Sequence, residues 1–118
     1  MAYLLLIQET RGARAARSAD EAHRLYDDMM AFAAGLQADG ILRAAESLRT
    51  DDHAVRISAA AGKPQLLDGP FTEAREMVGG FFLLDVSTRE DAIAIALRCP
   101  AVAWATVEVR ECAPCHVL

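Results

Sequence analysis

The chain has 118 residues, 53% of them apolar, and a formal net charge of −5. That is the size of one domain with a real core, and it is too apolar for a disordered chain. The arginines are scattered among acids rather than gathered into the basic stripe of a nucleic-acid binder. No run approaches the roughly 18 consecutive apolar residues of a membrane helix.

Tyr3 to Ile7 is a continuous apolar run, which suits a central strand buried on both faces. The start has no basic segment ahead of it and is too short for a signal peptide, so the expected location is cytoplasmic, with neither membrane nor nucleic acid as partner. Glu9 to Arg17 is polar, contains a glycine and reads as a loop. Ser18 to Glu21 has capping-box spacing, and Ala22, Leu25, Met29, Phe32, Ala33 and Leu36 recur at helical steps as far as Gly40, the expected C-terminal cap.

Ile41 to Leu48 reads as a strand and Arg49 to Asp52 as a polar turn. Ala54 to Ser58 alternates like a half-buried strand. Gly62-Lys63-Pro64 is a turn, and Gln65 to Leu67 is a short strand leading into Asp68-Gly69-Pro70-Phe71. Thr72 is placed to cap a short helix over Glu73 to Val78, ended by Gly79, and Gly80 to Val86 is a strong strand. Ser87 and Glu90 repeat the capping-box spacing ahead of a second helix whose buried stripe is Ala92, Ile93, Ala96 and Leu97, with Pro100 beyond its end. Thr106 to Arg110 is the last strand.

The predicted class is α+β: a ferredoxin-like βαββαβ domain over 1–118, with a short hairpin and helix inserted before the fourth strand and a flexible tail at 112–118. Two helices cover one face of such a sheet. The other face is expected to carry large apolar groups drawn from Tyr3, Leu5, Phe81 or Phe82, and Val107 or Val109. That predicts a homodimer packed sheet to sheet.

Asp68 is the candidate catalytic residue. In a bowl lined by Phe71 and Phe82, a carboxylate tuned toward neutral would move a proton alpha to a carbonyl. The competing reading is a turn aspartate that bonds its own amides. Glu73 and Glu76, three residues apart, are candidate substrate contacts if they share a helix face, or else they complement the helix dipole. Arg110 and Glu108 alternate with Val107 and Val109 and reach a cavity, a dimer seam or solvent. His53 after Asp51-Asp52 reads as a solvated turn. Cys112-Ala113-Pro114-Cys115-His116 has the spacing of a c-type haem attachment, but haem attachment requires export. The tail reads as an exposed end with free thiols, against a zinc site shared by two tails or a labile disulfide. No metal or organic cofactor is expected.

The order of elements and the motifs together resemble the YCII-related, or DGPF-domain, family of small bacterial proteins. The resemblance is carried by Tyr3 to Ile7, Asp68-Gly69-Pro70-Phe71, Glu73, Arg75-Glu76, Gly79-Gly80-Phe81, Asp91-Ala92 and Val107 to Arg110, and it covers nearly the whole chain. It implies a dimeric α+β barrel in which each protomer has a bowl-shaped cavity. Related barrel families include muconolactone isomerases and dehydrohalogenases. Members proposed to be enzymes pair an Asp with a His on the first helix; here that place holds Met29 and Met30, and His23 lies upstream on the solvent side. Two readings follow. One is an isomerase or lyase acting on a lactone-like molecule through Asp68, with Phe71, Glu73, Glu76, Phe82 and Arg110 as substrate contacts. The other is a non-catalytic ligand- or protein-binding dimer with a regulatory role, in keeping with the sigma-factor association of some such proteins.

Overall fold

The computed structural model describes residues 1–118. In chain order it contains β1 (Tyr3–Thr10), α1 (Ala19–Ala38), β2 (Leu42–Ser47), β3 (Val55–Ala60), β4 (Lys63–Asp68), β5 (Glu76–Leu84), α2 (Arg89–Leu97) and β6 (Thr106–Glu111). Short 3₁₀ turns at Asp51–His53 and Pro100–Ala103 link them. β2, β5, β1 and β6 form one antiparallel sheet in that order, which is the ferredoxin-like arrangement.

Local chemistry explains the helix ends. The Ser18 side chain accepts from the Glu21 amide at 3.2 Å, satisfying one orphan donor of α1. At the other end Gly40 takes φ +72°, and the Ile41 amide turns back to the Leu36 carbonyl at 2.9 Å. α2 is capped by Thr88, which accepts from the Asp91 amide, so its cap lies one residue later than the Ser87–Glu90 spacing suggested. Its buried residues are Ala92, Ile95 and Ala96, while Leu97 is exposed. The expected stripe was therefore partly out of phase.

Both helices lie on one face of the sheet. Leu5, Ile7, Phe82 and Leu84 pack there with Leu36, Ile95, Ala96, Cys99 and Ala101, and the Phe32 ring meets Phe82 edge-on at 5.3 Å. Cross-strand partners share a face, and Leu5 pairs with Phe82 and Val109 while Ile7 pairs with Val107. Tyr3, Leu5, Phe82, Val107 and Val109 are thus on the helix side. Of the residues expected on the open face only Phe81 lies there; the rest of it is Leu4, Leu6 and Leu83, with Glu108 and Arg110 along the β6 edge. An unbroken apolar run has no alternation from which to assign its faces.

The insertion is a separate two-stranded hairpin, β3–β4, with every residue exposed. It projects from the body. The radius of gyration is 16.1 Å, against about 13.5 Å for a globule of this length. The expected helix over Glu73 to Val78 does not form. Thr72 to Arg75 is a turn, and the strand begins at Glu76 because Glu76, Met77 and Val78 pair with Thr10, Glu9 and Gln8 at the far end of β1.

Candidate active or binding site

β1 runs three residues beyond its apolar stretch, and its alternation carries Glu9 onto the helix side, where the residue is only 3% exposed. Arg14, on the turn-rich segment after β1, reaches back to it with Nε at 3.0 Å and Nη2 at 2.5 Å from Oε2. Nη1 of the same arginine donates to the Leu48 carbonyl at 2.6 Å, and Nη2 also donates to that of Gly79. Arg17 approaches Oε1 at 3.4 Å through Nη1. A buried carboxylate is costly unless paired and hydrogen-bonded, and here two guanidiniums meet one.

Gly79 makes this arrangement possible. It is the extra residue of a β-bulge, since Ile7 pairs with Gly80 and Gln8 with Val78. A Cβ on residue 79 would lie 1.8 Å from Glu9 Oε2, so only glycine leaves room for the carboxylate. Gly80 does the same for β2, where a Cβ would stand 2.7 Å from the Glu46 carbonyl oxygen.

Above Glu9 a cavity of about 410 Å³ opens between α1 and the sheet. This is within the size range of small-molecule sites. Its walls are mostly apolar, with Leu25, Met29, Met30 and Ala33 from α1, and Ile7 and Phe82 from the sheet. Glu9, Arg14, Arg17 and Trp104 form the polar end. The Arg17 guanidinium lies 4.8 Å from the centre of the Trp104 ring, a cation–π contact. Trp104 Nε1 is buried without a hydrogen-bond partner, which costs about 1–3 kcal/mol for as long as it stays unmet.

The Asp68–Phe71 motif forms a different structure. The Asp51 carboxylate accepts from Arg11 Nη1 at 2.9 Å and Nη2 at 2.5 Å, and from the Phe71 amide at 3.2 Å. Arg11 also donates to the Phe71 and Ala74 carbonyls. The hydrogen bond from Arg11, reinforced by the Phe71 amide and outweighing desolvation, pulls the Asp51 pKa down to about 2. Gly69 fits because a Cβ there would lie 1.8 Å from the Asp51 carbonyl oxygen, and its amide donates to Ala54. Phe71 is buried, with the Arg56 guanidinium 3.8 Å above its ring.

The sequence-predicted site residues do not converge. Phe82 lines the cavity under α1. Phe71 and Glu76 line a second, more open groove beside the Asp51–His53 turn, with Arg49, His53 and Arg56. Glu73 is exposed and pairs with Arg56 at 3.1 Å. Asp68 is exposed at the end of β4 and lines neither cavity. Arg110 is exposed, pairs with Glu108 at 3.2 Å and belongs to the opposite face of the sheet. His23 is exposed, and Met29 and Met30 line the cavity. Cys112 and Cys115 are exposed free thiols, and no three His, Cys, Asp or Glu side chains gather to ligate a metal. Glu9, Arg14, Arg17 and Trp104 were not singled out from the sequence. The available signal was the period of two through Tyr3, Leu5 and Ile7, which continues to Glu9.

The fold is a one-sided ferredoxin-like sheet with a cavity under its longer helix, which defines the chain as a small α+β domain. The chain belongs to the YCII-related domain family, whose model matches residues 1–115. It is 28% identical over 96 residues to an uncharacterized protein of Rhizobium meliloti (strain 1021), covering 81% of this chain and 77% of that one. In fold it is similar to 5-chloro-2-hydroxyhydroquinone dehydrochlorinase from Burkholderia phenoliruptrix AC1100, solved in complex with 2,5-dihydroxybenzoquinone. That likeness has a TM-score of 0.56 and 13% identity, and covers 96% of this chain and 94% of the other. No helix is long and apolar enough to cross a membrane.

Proposed function

We propose that this YCII-family chain is a homodimeric, cytoplasmic small-molecule-binding protein whose ligand occupies the cavity between α1 and the sheet. The observation that carries this reading is the cavity itself: apolar walls ending in Glu9, Arg14 and Arg17 beside the Trp104 ring. A ring-sized molecule suits it, of the kind held by the dehydrochlorinase of similar fold. The dimer rests on the sheet face that no helix covers, with Leu4, Leu6, Phe81 and Leu83 on it. The cytoplasmic setting rests on an odd number of cysteines and their free thiols.

Lactone isomerisation or elimination through Asp68 is the weaker reading. Asp68 stands outside the cavity, and the residues around it are spent on holding a corner. In the favoured reading Asp68 is a turn residue.

The test is a thermal-shift screen of phenols, small lactones and hydroxy acids on wild type and Met29→Trp. A molecule that binds the native state alone raises the melting temperature by mass action. Hits that disappear when the indole fills the cavity, in a variant with a native circular dichroism spectrum, support the site. Hits that persist in Met29→Trp and vanish in Asp68→Asn move the site to the Asp68 corner.

A further inference from the structure

We infer that the ligand of the α1 cavity is a small organic monoanion, a carboxylate or phenolate on an apolar body, with its charged oxygen received by Arg17 beside Trp104. This rests on the proposed cavity site and adds the ligand's class.

The argument is a count of charges and donors at the polar end. Glu9 supplies one negative charge against the two guanidiniums of Arg14 and Arg17. Arg14 is spent: its Nε, Nη1 and Nη2 all donate to Glu9, Leu48 or Gly79. Arg17 is not. A guanidinium carries five N–H donors, and the protein accepts from Arg17 at one place, Glu9 Oε1, through a long 3.4 Å contact. Its side chain is only 13% exposed, yet none of its unbonded nitrogens is closed to water, so they stay within reach of a ligand oxygen in the cavity. Trp104 stacks against it and gives the cavity its ring, while its Nε1 is closed off from the cavity. Glu46, also at the cavity, is an exposed carboxylate whose charge water screens.

A neutral apolar ligand would leave the surplus positive charge and the free Arg17 donors unmet. A carboxylate or phenolate oxygen meets both, while its ring or chain lies against Met29 and Leu25. Cations are disfavoured by the same surplus. An uncharged carbonyl satisfies one donor and leaves the charge.

The experiment uses benzoate and cyclohexanecarboxylate against their primary amides, which match them in shape and lack the charge. Trp104 is the single tryptophan of the chain, so its fluorescence and its indole N–H resonance report binding directly. The acids are expected to bind at least about tenfold more tightly than the amides, the worth of one hydrogen bond to a charged group. Arg17→Met keeps an apolar stem on the indole and leaves Glu9 with Arg14. It should erase the preference for acids, weakening them far more than the amides. Equal binding of acids and amides by wild type overturns the monoanion inference and leaves the cavity reading standing. An acid preference that survives Arg17→Met also overturns it. Failure of both acids and amides to bind, or to move the Trp104 resonance, overturns the inference together with the cavity reading.

Discussion

Glu9 Oε2 occupies the space that a side chain on Gly79 would need: a Cβ there would come within 1.8 Å of it. The two residues sit on neighbouring strands at a bulge, and the atoms in the way are side-chain ends, so relief requires the Glu9 carboxylate to swing off its arginines. Glu9 is already fixed by Arg14, with Nη2 at 2.5 Å. Gly79→Ala is therefore expected to cost about 3 kcal/mol or more, combining overpacking with the loss of pairing for a buried charge. Glu9→Ala alone leaves Arg14 and Arg17 facing each other and is also destabilising. The double variant should be less unstable than the sum, because the alanine at 79 then has room. A double-mutant cycle measured by urea unfolding checks this, and simple additivity would break the account.

The Arg11–Asp51 pair ties the end of β1 to the hairpin corner and is sensitive to acid. The Asp51 carboxyl is pulled down to about 2 in the folded chain, against an ordinary value of 3.8. Between those values the unfolded chain binds more protons than the folded one. The contribution of this pair is full above about pH 4 and drains away as the pH falls toward about 2. Asp51→Asn should lower stability at neutral pH and flatten the acid limb in that window. Paired urea titrations of wild type and variant across pH 2–5 measure the difference.

Much of the architecture was legible because it is local. The Ser18 cap, the helical steps from Leu25 to Leu36 and the αL glycine at 40 are all short-range features, and they give α1 its observed bounds. What failed depends on long-range pairing. Glu73 and Glu76 mimic a charged first helical turn, but Met77 and Val78 have strand partners some 70 residues earlier, at Glu9 and Gln8. The candidate site was hidden by a different effect. A glutamate after an apolar run reads as the exit into solvent, and Arg14 and Arg17, which bring it inside, lie in a segment without periodicity. Trp104 gave no signal, because a buried donor without a partner is visible only in three dimensions.

Within the Asp68–Phe71 motif the glycine and the aspartate should separate cleanly. Gly69 abuts the Asp51 carbonyl, and a methyl group on residue 69 would stand 1.8 Å from that oxygen, whereas Asp68 is exposed at the end of an exposed strand. Gly69→Ala is expected to cost about 2–3 kcal/mol by forcing the corner off Asp51. Asp68→Asn should stay within about 0.5 kcal/mol of wild type, as exposed substitutions usually do. Thermal melts of the two variants side by side give the comparison. A large loss in Asp68→Asn with a small one in Gly69→Ala would reverse the assignment.

The open face of the sheet yields the last prediction. Leu6 pairs with Phe81 and Leu4 with Leu83, so four large apolar side chains sit together on the side away from both helices. On the two middle strands they remain partly exposed in an isolated protomer. Burying such a patch against a second copy removes that contact at roughly 25 cal/mol per Å². Glu108 and Arg110 lie toward the β6 edge, where a polar rim would stand around the apolar centre. Leu6→Asp places a charge at that centre without entering the core formed by Leu5 and Ile7 on the opposite face. Sedimentation of wild type at micromolar concentration should give a dimer. Leu6→Asp should sediment as a folded monomer, while Arg110→Ala, at the rim, should remain dimeric with a weaker dependence on salt. A monomeric wild type, or a Leu6→Asp dimer as tight as wild type, would assign the face to another occupant.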